Sequence, residues 1–83
     1  MEKVLVEVFI PAIDSTYDMF IPRKSNMAEV LELLKKAVTD LSDGRFAATD
    51  ETAVCYRESG AIINVNMSVY ELGIQNGSKL MLI

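Results

Sequence analysis

Ser68-Val69-Tyr70-Glu71-Leu72-Gly73-Ile74-Gln75-Asn76-Gly77-Ser78-Lys79-Leu80-Met81-Leu82-Ile83 carries the densest run of local signals in this 83-residue chain. Ser68 and Glu71 stand three apart, the spacing at which a hydroxyl and a carboxylate reciprocally cap the start of a helical turn. Gly73 follows as a stop, because glycine enters the left-handed conformation without a Cβ penalty. Gln75-Asn76-Gly77 reads as a tight turn, since Asn-Gly favours positive φ. From Ser78 to Ile83 the residues alternate: Leu80 and Leu82 on one side, Lys79, Met81 and Ile83 on the other, the period of a strand. A single capped helical turn, of α or 3₁₀ type, therefore leads through a tight turn into a final strand.

Working back from it, Ala61-Ile62-Ile63 reads as a short strand, preceded by a Glu58-Ser59-Gly60 turn and by a strand over Thr52–Arg57. Arg45 to Glu51 is irregular. Upstream, Met27, Val30, Leu31, Leu34, Val38 and Leu41 recur at helical spacing and predict one apolar stripe, with Leu33 off it. Asn26 and Glu29 form a second capping-box pattern, with Ser25 the competing cap, and Asp43-Gly44 marks the helix stop. At the start, Val4, Val6, Val8 and Ile10 share one parity. Pro11 ends that strand, Ala12 to Ser15 turn the chain, and Thr16 to Ile21 return it as a hairpin. Phe20 and Tyr56 are expected in the core; nothing local places Tyr17, Phe46 or Tyr70.

The order β-β-α-β-β-turn-β sets one helix stripe against one sheet face, an α+β roll in a single domain over residues 1–83. Composition narrows its work. Eight basic and twelve acidic residues leave a net charge of −4, the wrong sign for binding nucleic acid or an anionic membrane through surplus Lys and Arg. With no histidine, one cysteine and no tryptophan, neither a His-based triad nor a Cys/His zinc site is available. No apolar run approaches the ~20 residues of a membrane span. The expectation is a cytosolic chain with a reduced thiol and with no catalytic, cofactor or metal site. Carboxylate pairs such as Asp14/Asp18, Asp40/Asp43 and Asp50/Glu51 sit in no recognisable ligand loop and read as solvated turns.

The order of elements and the stretch Ser68–Ile83, with its Leu72-Gly73-Ile74-Gln75-Asn76-Gly77 element, resemble the β-grasp fold of ubiquitin-like proteins over essentially the whole chain. The resemblance implies a mixed five-stranded sheet in the order 2-1-5-3-4, with the first and last strands parallel at its centre. Within that superfamily the chain resembles the YukD-like family of type VII (WXG-type) secretion accessory proteins, which implies a cytosolic protein acting with a membrane-bound secretion machine. Two other readings stay open. A modifier or sulfur carrier is disfavoured, because that chemistry activates an unhindered terminal glycine and no Gly-Gly occurs in this sequence. The other is an excised ubiquitin-like domain of a larger secretion component.

Parity then nominates a surface. If Val4, Val6, Val8, Leu80 and Leu82 face the helix, Leu5, Phe9, Met81 and Ile83 face outward, and the fold's usual register sets Cys55 beside Met81 and Ile83. Leu5, Phe9, Cys55, Met81 and Ile83 are thus the candidate protein-binding residues, for a protein partner or a second copy of the chain. Cys55 lacks a histidine to activate it and reads as a small hydrophobe.

Overall fold

The computed structural model describes residues 2–83. Strand β1 (Lys3–Ile10) runs into a 3₁₀ turn at Pro11–Ile13 and returns as β2 (Ser15–Pro22). Helix α1 (Met27–Leu41), β3 (Val54–Tyr56) and β4 (Lys79–Leu82) complete the set. Asp14 makes the hairpin reversal in the left-handed region, φ 47°, a conformation that Asp tolerates better than most residues. The sheet order is β2-β1-β4-β3; β1 and β4 are parallel, while β2 and β3 flank them antiparallel.

The sheet has four strands, not the expected five. The stretch over Ala61–Ile63 contributes a single bridge, Ile62 to Cys55, held by Tyr56 N–H to Ala61 O (2.9 Å) and Ile63 N–H to Val54 O (3.0 Å). Pairing stops there because Asn64 turns the chain: its Oδ1 accepts the Asn66 N–H at 3.0 Å, an Asx turn that leads away from the ladder. The expected strand over Thr52–Arg57 shortens to Val54–Tyr56, although Ala53 and Ile83 still exchange backbone hydrogen bonds at 2.8 and 2.9 Å. The remaining order agrees with the expected one once that strand is removed.

One face of the sheet and the helix share a single core. Val4, Val6, Val8, Ile10, Ile21, Val54, Leu80 and Leu82 pack with Met27, Val30, Leu34 and Val38. Phe46, from the loop after α1, adds a buried ring; its N–H donates to the Oγ of buried Ser42. Leu31 is only partly buried against this cluster, and Leu41 does not join it: at the last helical position it is half exposed. Leu33 is exposed as expected.

The two capping-box patterns behave differently. Ser68 and Glu71 cap reciprocally, each backbone N–H donating to the other's side-chain oxygen at 3.0 Å. The turn they open closes after one α-type bond, Leu72 N–H to Ser68 O, and Gly73 (φ 73°) ends it, the single capped turn expected there. Asn26 makes no side-chain cap. The N–H groups of Met27 and Ala28 donate instead to the carbonyls of Met67 and Val65, at 2.9 and 3.0 Å.

Candidate protein-binding face

The face of the sheet turned away from α1 is built in cross-strand rows. Leu5 pairs with Phe20, Glu7 with Asp18, and Phe9 with Thr16 across the hairpin. Across the parallel seam Glu7 stands beside Lys79 and Phe9 beside Met81. Cys55 continues the Phe9–Met81 row and Ile62 ends it through its bridge to Cys55. Arg57, whose N–H donates to Lys79 O, extends the charged row. The level of Leu5 is fixed by the Asn76–Gly77 turn. Asn76 Oδ1 accepts the Leu5 N–H and the Gly77 N–H donates to Leu5 O, both at 2.8 Å.

Four of the five nominated residues line this face. Leu5 and Ile83 are exposed, Phe9 and Met81 half-buried. Cys55 is not available: no part of it reaches solvent, because Met81 flanks it in the ladder and Ile62 lies against its other edge. Burial pushes its thiol pKa up, the opposite of an activated nucleophile. Ile62, 71% exposed, takes the surface place assigned to Cys55.

Phe20 corrects a second expectation. It is not a core ring but stands 67% exposed beside Leu5. The signal was in the hairpin register: an Asp14 turn sets Phe20 opposite Leu5, already assigned outward by parity. Tyr56 is partly buried against the core. Arg57 lays its guanidinium 4.4 Å from the centre of the Phe9 ring, a cation–π contact that half-covers the middle of the patch.

The rest of the surface offers less. Arg23 bonds Glu2 at 2.8 Å and stacks over Tyr70 at 4.5 Å. A hollow of about 340 Å³ between α1 and the following loop is lined by Glu32, Lys35, Lys36, Thr39, Asp40, Ala48, Thr49 and Asp50; Ala48 is its only apolar residue, and no aromatic or large aliphatic side chain walls it as in a ligand pocket. Among the described residues no group of three His, Cys, Asp or Glu is placed to hold a metal ion. No described helix is long and apolar enough to cross a membrane.

The fold is that of a ubiquitin-like domain. The structure superposes on the EccD5 ubiquitin-like domain from Mycobacterium xenopi with a TM-score of 0.72 at 15% identity, covering all of this chain and 94% of that one. It also superposes on a chain of the MycP5-free ESX-5 inner membrane complex (TM-score 0.72, 17% identity), covering all of this chain but only 21% of that longer chain. A third similar structure belongs to a different setting, a toluene 4-monooxygenase complex (TM-score 0.77, 15% identity, 98% of this chain and 96% of that chain). The sequence matches no protein-family profile and no curated protein.

Proposed function

We propose that this chain is a non-enzymatic, non-conjugating protein-binding module of a bacterial type VII secretion system, working in the cytoplasm and docking through its outer sheet face onto a membrane-bound component of the machine. The observation that carries the docking reading is a pair of apolar bands on the sheet face turned away from α1, Leu5 with Phe20 and Phe9 with Met81, Ile62 and Ile83, set on either side of the charged row Asp18, Glu7, Lys79 and Arg57. Exposed apolar side chains gathered on one face and interleaved with charges mark interaction sites, and half-buried aromatic and methionine side chains are the types enriched in protein interfaces. The secretion setting is supported by the resemblance to the YukD-like family and by the likeness in fold to the EccD5 domain. Since one fold hosts unrelated functions, as the monooxygenase neighbour illustrates, the setting needs its own test.

That test is binding of the purified chain to the secretion membrane complex of the same cell. Phe9→Glu and Met81→Glu, each confirmed as folded, are expected to lose binding. Wild-type affinity in both variants contradicts the face assignment. A second reading, that the chain is the ubiquitin-like portion of a larger secretion component, is favoured by its span: nearly all of the EccD5 domain and about a fifth of the ESX-5 chain. The full gene sequence distinguishes the two.

A further inference from the structure

The charged row on the outer face is ordered. Across the sheet from β2 to β3 it runs Asp18, Glu7, Lys79, Arg57, two acids on one half and two bases on the other. None of these four takes part in an ion pair among the described residues, where the pairs are Arg23–Glu2 and Lys35–Glu32. Glu7 and Lys79 are direct neighbours across the parallel seam, yet their charges stay unpaired within the molecule.

We infer that this face pairs with the same face of a second copy of the chain, about a two-fold axis that lies between the two sheets, parallel to the strands and over the β1–β4 seam. The inference rests on reading the outer face as a protein-binding surface and names an occupant for it. Such an axis exchanges the two sides of the seam, so β1 of one protomer lies over β4 of the other. Glu7 then faces the second copy's Lys79, twice by symmetry, and Asp18 lies over the strand carrying Arg57. Phe9 meets Met81 of the other copy, because the two share a level across the seam, once the Arg57 guanidinium that stacks on the Phe9 ring swings out toward Asp18 of the other copy; sulfur against an aromatic ring is a favourable contact. Leu5 lies over Gly77, its neighbour across the seam, where the absence of a side chain leaves room for it. One operation thus satisfies the charged row and both apolar levels, as an isologous interface requires. Aligned packing of two sheets at about −30° accommodates the arrangement.

A standard interface takes ~800 Å² from each partner, about a sixth of the 5057 Å² surface of this molecule. The contacts across it are exposed charge pairs, each worth little, and half-buried side chains, so the dimer is expected to form only from micromolar to millimolar concentration and to exchange with another partner that needs the same face.

Sedimentation velocity from micromolar to millimolar concentration tests the pairing, with thermal melts confirming that every variant folds. The wild type is expected to shift from monomer to dimer across that range. Glu7→Lys and Lys79→Glu each set like charges together twice and are expected to weaken association by about tenfold or more. Mixed in equal amounts, these two variants regain it, because the heterodimer restores both opposite-charge contacts. A wild type that stays monomeric at millimolar concentration overturns the inference, as does a mixture that associates no better than either variant alone. If the wild type is monomeric while Phe9→Glu and Met81→Glu still abolish binding to the secretion complex, the docking face stands and only self-pairing fails. If the wild type dimerises and those variants bind the complex normally, self-pairing stands and the docking reading fails.

Discussion

Ser68 and Asn26 present the same local pattern, a capping residue with glutamate three positions on, and the fold uses only one of them. Ser68 accepts from Glu71 N–H and Glu71 accepts from Ser68 N–H, so Ser68→Ala is expected to cost about 1 kcal/mol in a denaturant melt. Asn26→Ala is expected to cost only a few tenths, because Asn26 makes no side-chain cap that could be lost, and the N–H groups of Met27 and Ala28 donate to Met67 and Val65. The Ser68 hydrogen bonds, first through its backbone and then through its hydroxyl, hold the Glu71 carboxyl below the usual carboxylate range. A depressed folded-state pKa contributes stability above the unfolded value, and that contribution fades as pH falls through the folded one. Glu71→Gln should therefore lose the least stability, relative to wild type, in strong acid and more near neutrality, which melts across pH will show. The Ser68 cap was legible because all its atoms lie within one turn. The fate of Asn26 was not, because its replacement comes from a loop some forty residues away.

At the scale of elements, helical periodicity identified the buried stripe but not its end. Leu34 is sealed in the core while Leu41, seven residues on, is 56% exposed. At Leu41 the helix gives way to Ser42, whose N–H still donates to Val38 O, and to Asp43 and Gly44 at positive φ. Leu34→Ala is expected to destabilise by about 2–5 kcal/mol through its cavity, and Leu41→Ala by less than about 1 kcal/mol, as measured by chemical unfolding. The missing fifth strand has a similar lesson. Ala61-Ile62-Ile63 has the right residues for a strand, and the sheet accepts one bridge from it. Yet the Asn64 side chain captures a backbone N–H two residues on and redirects the chain. Propensity favoured the strand; side-chain-to-backbone bonding decided against it.

For the molecule as a whole, the hairpin parity and the parallel seam fix which side chains face away from the helix, and parity alone exposed Leu5, Phe9, Met81 and Ile83 in the sequence. Register across strands was needed for the rest. It turns Phe20 outward beside Leu5 and sets Ile62 against Cys55, so that a nominated contact residue is sealed and two unnominated ones are exposed. The native thiol of Cys55 should accordingly resist a disulfide exchange reagent until the protein is unfolded; prompt labelling of the folded chain contradicts its burial. What the face binds is where physical reading and resemblance meet. Loss of binding to the secretion membrane complex in Phe9→Glu and Met81→Glu, both folded as wild type, with binding retained by Leu33→Glu on the exposed back of the helix, is the result this account predicts. Wild-type affinity in the two sheet variants, or its loss in the helix variant instead, would contradict it.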